Sequence, residues 1–406
     1  MNLRLTLTAL LLCSLPLAAH AQPAPSPQDG RVVLVLPFEN RSSDASLDWI
    51  GESFPAIINS RFATAGFLTI SRDDRLFALD HLGLPLDFKP SRATTIRIAQ
   101  TLNADYVIVG QFTITGAAPN QQIEAQAQVL RVGPLHLDPV IADLTPLAHL
   151  LDLGNGLAWS LAHSIDPSLA ATRQSFLAAS AGLQINAFEN YIRGRMDRSP
   201  DDAAKHLEAA VQLQPTYAAA LLALGKVQYG QQQFEQAAAT LARVPDLDPL
   251  ALEAGFYRGL SHFNSGNYAA AEQDFAFVAA ALPLPEVINN QGVAASRQHK
   301  DAVALFQRAT QADPQDADYH YNLAASLFRR KDFATAQPES ELSLRLRPGD
   351  ADAAALRDQI TAALKGVPPS ADFDPLERIC RTYSEASYRQ AAFQLQQLRA
   401  IGVKGQ

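Results

Sequence analysis

Five prolines recur in the C-terminal half of the chain at a nearly constant interval. They are Pro215, Pro249, Pro283, Pro314 and Pro348, with spacings of 34, 34, 31 and 34 residues. Such a period is typical of stacked helical hairpins, in which proline ends the second helix of each pair because it cannot continue a helix. One hairpin cannot bury its apolar face alone, so the period predicts an array of neighbours that share a core.

Small residues accompany this period. Ten residues after three of the prolines stand Gly225, Gly259 and Ala324. Small side chains at fixed points let two helix backbones approach closely, while larger apolar residues fill the space around them. Twelve residues before each proline the chain has an alanine: Ala203, Ala237, Ala271, Ala302 and Ala336.

These features resemble the tetratricopeptide repeat. Units 218–251, 252–284 and 317–350 fit it well, whereas 187–217 and 285–316 are shortened. The resemblance implies an all-α array over 187–365, with five units, two of them degenerate, and a polar capping helix over 350–365. It also implies a concave groove, lined by the first helix of each pair, that takes an extended or helical peptide.

The groove positions of the repeat carry aromatic side chains together with basic and amide groups. Aromatic and arginine residues dominate the energetics of many interfaces, and basic groups bind carboxylates. The alternative is that several of these aromatic residues pack between repeats. The positions expected to bind a partner are Tyr191, Arg195, Leu222, Lys226, Tyr229, Phe256, Phe263, Asn264, Asn289, Arg297, Tyr321, Phe328 and Arg329.

The N-terminal region, residues 31–168, alternates strand and helix patterns. Interleaved strands and helices indicate an α/β layer with a mixed sheet. The predicted fold class is therefore an α/β domain with a mixed sheet, followed through a helical connector (169–186) by an all-α repeat solenoid. Strand patterns cover 31–36, 67–71, 106–115, 123–132 and 140–144, and helical patterns cover 44–65, 73–81, 91–102 and 146–165.

Three strings of this domain add a second resemblance. VLVLPFENRSSD, GFLTISRDD and IAQTLNADYVIVGQFT occur in the order found in the N-terminal domain of TolB and in its relatives of the FlgO and CsgG group. Residues 31–166 are similar to that family, which implies a domain of an envelope-associated protein. Helical repeats follow here, whereas a β-propeller follows in TolB.

Residues 1–21 have the pattern of a secretory signal peptide, with a positive start, an apolar run and small residues before the cleavage site. Pro-rich residues 22–30 would then form a flexible lead-in. Cleavage would remove Cys13 and leave Cys380 alone, so no intramolecular disulfide would form. We expect an exported protein, periplasmic or associated with the outer membrane, with no transmembrane span after cleavage.

The sequence carries no motif for catalysis or metal binding. It lacks a phosphate-binding glycine loop, an H-E-x-x-H and a G-x-S-x-G, and its net charge of −8 argues against nucleic acid. Asp73, Asp74 and Arg75 follow a strand, where α/β proteins often bind ligands, but helix capping explains them as well. We expect no enzyme activity, no cofactor, and a protein or peptide partner in the envelope. A second hypothesis is that the α/β domain binds a small ligand and signals through the array.

The C-terminal region, 374–406, follows a linker at 366–373 and has helical spacing. Apolar positions over 376–398 predict an amphipathic helix that carries Cys380 as a buried, inert thiol. Three arrangements are open for this helix. It docks on the last repeats, occupies the groove of its own chain, or pairs with another copy.

Overall fold

A computed structural model describes residues 31–85 and 91–383 of the chain. The expected signal peptide, the lead-in and residues 384–406 lie outside the described residues. Within them a mixed sheet with helices comes first and a helical array follows. The predicted fold class is confirmed.

The described strands form one mixed sheet in the N-terminal domain. They are β1 (Val32–Val35), β2 (Glu39–Asn40), β3 (Leu68–Thr69), β4 (Tyr106–Thr115), β5 (Gln122–Arg131), β6 (His136–Leu137) and β7 (Ile141–Pro146). β1 lies between β3 and β4, parallel to both, and the β4–β5 hairpin is antiparallel. β2 pairs parallel with β4, and β6 and β7 both pair with β5. The sequence pattern missed β2 and β6, which are only two residues long.

Four helices cover the two faces of this sheet: α1 (Trp49–Thr64), α2 (Arg72–His81), α3 (Arg92–Thr101) and α4 (Leu150–Ile165). Alternation along β1 divides the core, since Val33 and Val35 pack with α1 and α4 whereas Leu34 packs with α2 and α3. Ser91 caps α3 as predicted. Ser71 and Asp74 form a capping box on α2, so helix capping accounts for Asp74.

Within the described residues, a short helix, α5 (Arg173–Ala178), leads to five helical hairpins and then to α16 (Ala351–Leu364). α16 follows the fifth hairpin, where a capping helix was predicted. The hairpins pair α6 (Ile185–Met196) with α7 (Pro200–Leu213), α8 (Ala218–Gly230) with α9 (Phe234–Leu241), α10 (Ala251–Asn264) with α11 (Tyr268–Ala281), α12 (Pro285–Ser296) with α13 (Val303–Ala312), and α14 (Ala317–Arg329) with α15 (Phe333–Leu346).

Close packing within a hairpin depends on a small residue of its first helix. A Cβ at Gly225 would lie 2.4 Å from the Leu241 side chain, and a Cβ at Gly292 would lie 2.8 Å from the Phe306 ring. Neither distance is tolerable for a real side chain, so these positions require glycine. The proline count found Gly225 and missed Gly292, because the shortened fourth unit moves that glycine relative to its proline.

The α/β domain and the first repeats share one hydrophobic core. Buried side chains form a single cluster from Val33 in the sheet to Ala254 in α10. At the junction, Nη2 of Arg193 donates to the carbonyl of Ser46 at 2.9 Å, and the guanidinium lies 5.9 Å from the Trp49 ring centroid. The repeats therefore start from a fixed position on the domain.

The described part of the C-terminal region is not helical, which corrects the predicted amphipathic helix. α16 ends at Leu364, and residues 373–383 contain neither helix nor strand. The helical spacing of Leu376 and Ile379 was overridden because their neighbours in the chain are bound individually by side chains of the repeats. Residues 384–398 of the predicted helix lie outside the described residues.

Candidate functional site

Residues 373–383, called the tail segment below, lie along the concave face of the array. At one end the Phe373 ring contacts the Phe328 ring of α14, with centroids 5.6 Å apart. At the other end the Tyr383 ring meets the Phe256 ring of α10, with centroids 4.7 Å apart. Of the three arrangements open from the sequence, this part of the chain adopts the second and occupies its own groove.

Three buried asparagines bind the backbone of the tail segment. Asn322 accepts from the amide of Arg378 at 2.7 Å and donates to its carbonyl at 2.8 Å. Asn290 makes the same two bonds to Cys380, both at 2.8 Å. Asn289 donates to the carbonyl of Arg378 at 3.0 Å and accepts from Asn322 at 2.7 Å. This asparagine clamp requires an extended chain, because it binds the main-chain amides and carbonyls of alternate residues, 378 and 380.

The carboxylate of Glu377 is fully buried between polar groups of α12 and α14. It accepts from the Ser296 hydroxyl at 2.6 Å, and it lies 3.3 Å from Nη1 of Arg297 and 3.0 Å from Nη2 of Arg329. Burial alone would lower the pKa of Arg329, but Glu377 outweighs burial and raises it. A buried carboxylate is tolerable only with such partners.

Arg378 points into an acidic site formed by α14 and the start of α16. Its guanidinium carbon lies 3.9 Å from the centroid of the Tyr321 ring. Its Nη1 lies 2.8 Å from Asp318, and its Nη2 lies 2.7 Å from Oδ1 of Asp350. The hydrogen bond from Arg378 lowers the pKa of Asp350 to about 2. The tail segment thus places opposite charges in two complementary sites.

Cys380 lies in the same stretch, with its sulfur 3.9 Å from the hydroxyl of Tyr319 and 3.6 Å from Nδ2 of Asn289. Burial raises the pKa of this thiol to about 12. The thiol therefore stays protonated near neutral pH, and a protonated thiol is a poor nucleophile.

The groove continues beyond Tyr383 into a space of about 600 Å³, called the open cleft below. Helices α6 and α8 of the first two repeats line it, and the start of α2 bounds it from the α/β domain. Nη2 of Arg195 lies 3.8 Å from Asp73, and Nζ of Lys226 lies 3.0 Å from Glu253. Burial alone would lower the pKa of Lys226, but Glu253 outweighs burial and raises it. The open cleft is thus lined by ion pairs that are already formed.

The residues expected to bind a partner fall into three groups. Six contact the tail segment: Phe256, Asn289, Arg297, Tyr321, Phe328 and Arg329. Four line the open cleft: Tyr191, Arg195, Leu222 and Lys226. The remaining three, Tyr229, Phe263 and Asn264, lie near the C-terminal ends of α8 and α10. Tyr229 and Asn264 approach each other at 3.5 Å, and the Phe263 ring packs on Tyr268 at 5.3 Å.

Sequence reasoning missed Asn290, Ser296 and Asn322. A signal for Asn322 exists in the repeat itself. Asn290 lies two residues before Gly292, and Asn322 lies two residues before Ala324. Counting from the small residue that contacts the second helix, rather than from the proline, identifies the two asparagines as equivalent positions.

Residues 31–85 and 91–383 contain neither a candidate membrane span nor a candidate metal site. No helix there combines the length and apolarity needed to cross a membrane. No group of three or more histidine, cysteine, aspartate or glutamate side chains in those ranges is arranged to hold a metal ion.

Two tetratricopeptide-repeat family profiles match the chain, over residues 196–254 and 293–353. The chain therefore contains tetratricopeptide repeats, as its period predicted. A curated relative, peroxisome biogenesis protein 5 of Arabidopsis thaliana, is 32% identical over 134 residues. That match covers 32% of this chain and only 18% of the relative.

Solved structures of repeat proteins are similar at lower identity. MamA (residues 41 to the end) from Desulfovibrio magneticus RS-1 has 19% identity and a TM-score of 0.39, and the match covers 42% of this chain and 99% of that one. YrrB, described as a tetratricopeptide-repeat protein with an unusual peptide-binding site, has 17% identity and a TM-score of 0.36. Its match covers 50% of this chain and 100% of that one.

Proposed function

We propose that this protein is a non-catalytic protein-binding scaffold of the cell envelope, whose repeat groove holds an extended segment of a partner. The observation that carries this proposal is the asparagine clamp. Asn289, Asn290 and Asn322 bond main-chain amides and carbonyls of an extended chain inside the groove. Such contacts suit any extended segment, while neighbouring side-chain sites supply selectivity.

The tetratricopeptide repeats support a role in protein binding, and the rigid array suits recognition by a preorganised surface. The α/β domain contributes the fixed base of the array through the shared hydrophobic core. Its similarity to the TolB-like group stays a prediction, and it supports a second envelope partner for residues 31–168.

The envelope location rests on the signal-peptide pattern of residues 1–21. Its test is fractionation of cells that express the full chain, followed by N-terminal sequencing of the product. A product that begins at Gln22 and sits in the periplasm or the outer membrane supports the location. An uncleaved chain in the cytoplasm contradicts it.

The binding role is tested by cross-linking the full chain to its partners in native envelope extract. The informative variant replaces Asn289 and Asn322 with alanine, and Asn264→Ala is the matched control, because Asn264 is exposed and lies outside the clamp. We expect partners captured by the wild type and by the control to be lost from the double variant. Equal capture by all three chains contradicts binding in this groove.

A second candidate function is the binding of a small ligand between the α/β domain and the repeats. The observation that favours it is the open cleft of about 600 Å³, which groups of both regions line. This volume falls within the usual range for small-molecule sites. A ligand that raises the melting temperature of the wild type but not of Arg195→Ala supports this candidate. A screen of small anions and metabolites that produces no such shift counts against it.

A further inference from the structure

The adjacent charged residues of the tail segment, Glu377 and Arg378, bind at two different sites in the groove. Glu377 meets Ser296, Arg297 and Arg329, all close to the ends of α12 and α14. A second carboxylate, Asp374, lies 3.1 Å from Nε of Arg329 but is 69% exposed. The fully buried Glu377 is therefore the carboxylate that this basic site is built around.

Arg378 meets a site of the opposite sign. Asp318 and Asp350 accept its hydrogen bonds, and Tyr321 stacks against its guanidinium. The planar, delocalised guanidinium suits this combination of carboxylates and an aromatic face better than an ammonium group does. The geometry of the site therefore fits an arginine better than a lysine.

The asparagine clamp fixes the register of the bound chain against these two sites. It binds the amide and the carbonyl of residue 378 and again those of residue 380. A chain bound in this register with its charges reversed would place an arginine beside Arg297 and Arg329, and a glutamate beside Asp318 and Asp350. Like charges brought together at such sites reject the wrong sequence.

We infer that the groove selects a partner segment in which an acidic residue is followed directly by an arginine, and that the tail segment is an internal copy of this signal. The inference rests on the proposed function and adds the chemistry of the partner to it. Because the tail segment holds the same sites, the partner must displace it. Displacement also frees Cys380, which the groove now covers.

A labelled peptide with the sequence of residues 373–383, and serine in place of the cysteine, is the probe. Two matched peptides carry the central pair in reversed order or as two glutamines. Their binding is measured by fluorescence polarisation on the full chain and on the Glu377→Ala plus Arg378→Ala variant. In that variant the groove keeps every side chain while its own tail segment has lost both charged anchors.

We expect the native-order peptide to bind this variant roughly tenfold or more tightly than either matched peptide. It should bind the wild type more weakly, because a tethered segment competes at an effective concentration on the order of mM. On a Cys13→Ser chain, which has Cys380 as its remaining cysteine, excess native-order peptide should also speed alkylation of the thiol. This second measurement stands even if the double variant fails to fold.

The outcomes separate the two proposals. Equal binding of all three peptides overturns selection by the ordered pair and leaves binding of extended segments intact. If no peptide binds while Cys380 of the double variant is freely alkylated, the vacated groove accepts no segment, and the proposed function fails together with the inference. If no peptide binds and Cys380 stays protected in every chain, the tail segment is a permanent part of the fold, which overturns the inference.

Discussion

The two halves of the groove are built from the same repeat and are used differently. In the C-terminal half, α12 and α14 present asparagines and arginines, and the tail segment fills the space. In the N-terminal half, α6 and α8 have Ile192 and Ala223 at the positions equivalent to Asn290 and Asn322, and the open cleft remains. The same repeat scaffold thus supports both a main-chain clamp and an amphipathic cavity, according to the side chains that its first helices carry.

Among the variants considered, Glu377→Ala should change the C-terminal half of the groove most. It leaves Arg297 and Arg329 without their buried carboxylate, and losing one member of such a pair costs about 2–5 kcal/mol. We expect the tail segment to leave the groove and Cys380 to be alkylated roughly 30-fold faster or more on a Cys13→Ser chain. Leu376→Ala is the control, because Leu376 belongs to the same segment but is exposed. Unchanged alkylation in Glu377→Ala would mean that the asparagine clamp alone holds the segment.

The helical hairpins of the two halves should be packed equally tightly, so that the halves differ only in the side chains that line the groove. Gly225→Val in the N-terminal half and Gly292→Val in the C-terminal half each force a side chain against the second helix of the same hairpin. We expect each to lower the free energy of unfolding by about 1–3 kcal/mol, measured by urea denaturation. Gly230→Ala is the control, since nothing lies within 4 Å of its new Cβ. A much larger loss in one half would show that the halves differ in scaffold as well as in lining.

We expect low pH to release the tail segment from the C-terminal half of the groove. Hydrogen bonds from Arg378 hold the pKa of Asp350 at about 2, below its usual 3.8, and those from Arg347 and Arg378 lower the pKa of Asp318, although burial opposes them. A lowered folded-state pKa means that this stabilisation is present above pH 3.8 and is lost as the pH falls towards 2. Pepsin should therefore cut within residues 373–383 increasingly from pH 4 to pH 2, relative to an unstructured peptide.

Two variants test the assignment of this acid response. Asp350→Asn should be cut already at pH 4, because the charge that binds Arg378 is absent at every pH. Asp358→Asn, on the exposed side of α16, should behave as the wild type does. Cutting that is equally fast in all chains at pH 4 would contradict a role of Asp350 in holding the segment.

We expect the smallest effects on stability from substitutions in the N-terminal half of the groove. Arg195→Ala removes a partly exposed ion pair with 3.8 Å between its charged atoms, and such pairs contribute about 0–1 kcal/mol. It also removes a hydrogen bond of 3.2 Å to the Tyr191 hydroxyl. Its melting temperature should change little, and alkylation of Cys380 should not change at all. Faster alkylation of Cys380 in this variant would contradict the expectation that the two halves of the groove act independently.

Much of the fold was predictable because its determinants are local or periodic. The spacing of the prolines predicted the hairpins, Ser91 predicted the start of α3, and alternation predicted the β4–β5 hairpin. The short strands β2 and β6 were missed because neither lies in a run of apolar and β-branched residues, whereas the equally short β3 lies within FLTIS at 67–71. Among site residues, the repeat register identified Asn289 and Tyr321, which are equivalent positions, but missed Asn290 and Asn322, which stand one residue further along each helix.

The repeat array, the order of the α/β elements and the face of each first helix that lines the groove follow from sequence patterns, since these features depend on contacts between neighbouring units. The extended tail segment, the pairing of Glu377 with Arg297 and Arg329, and the open cleft beside α2 became visible only in the folded chain. Each of these requires groups far apart in the chain, such as Asn290 and Cys380, which are 90 residues apart. No local sequence pattern predicts such a contact, because it forms only when the folded array brings the two residues together on its concave face.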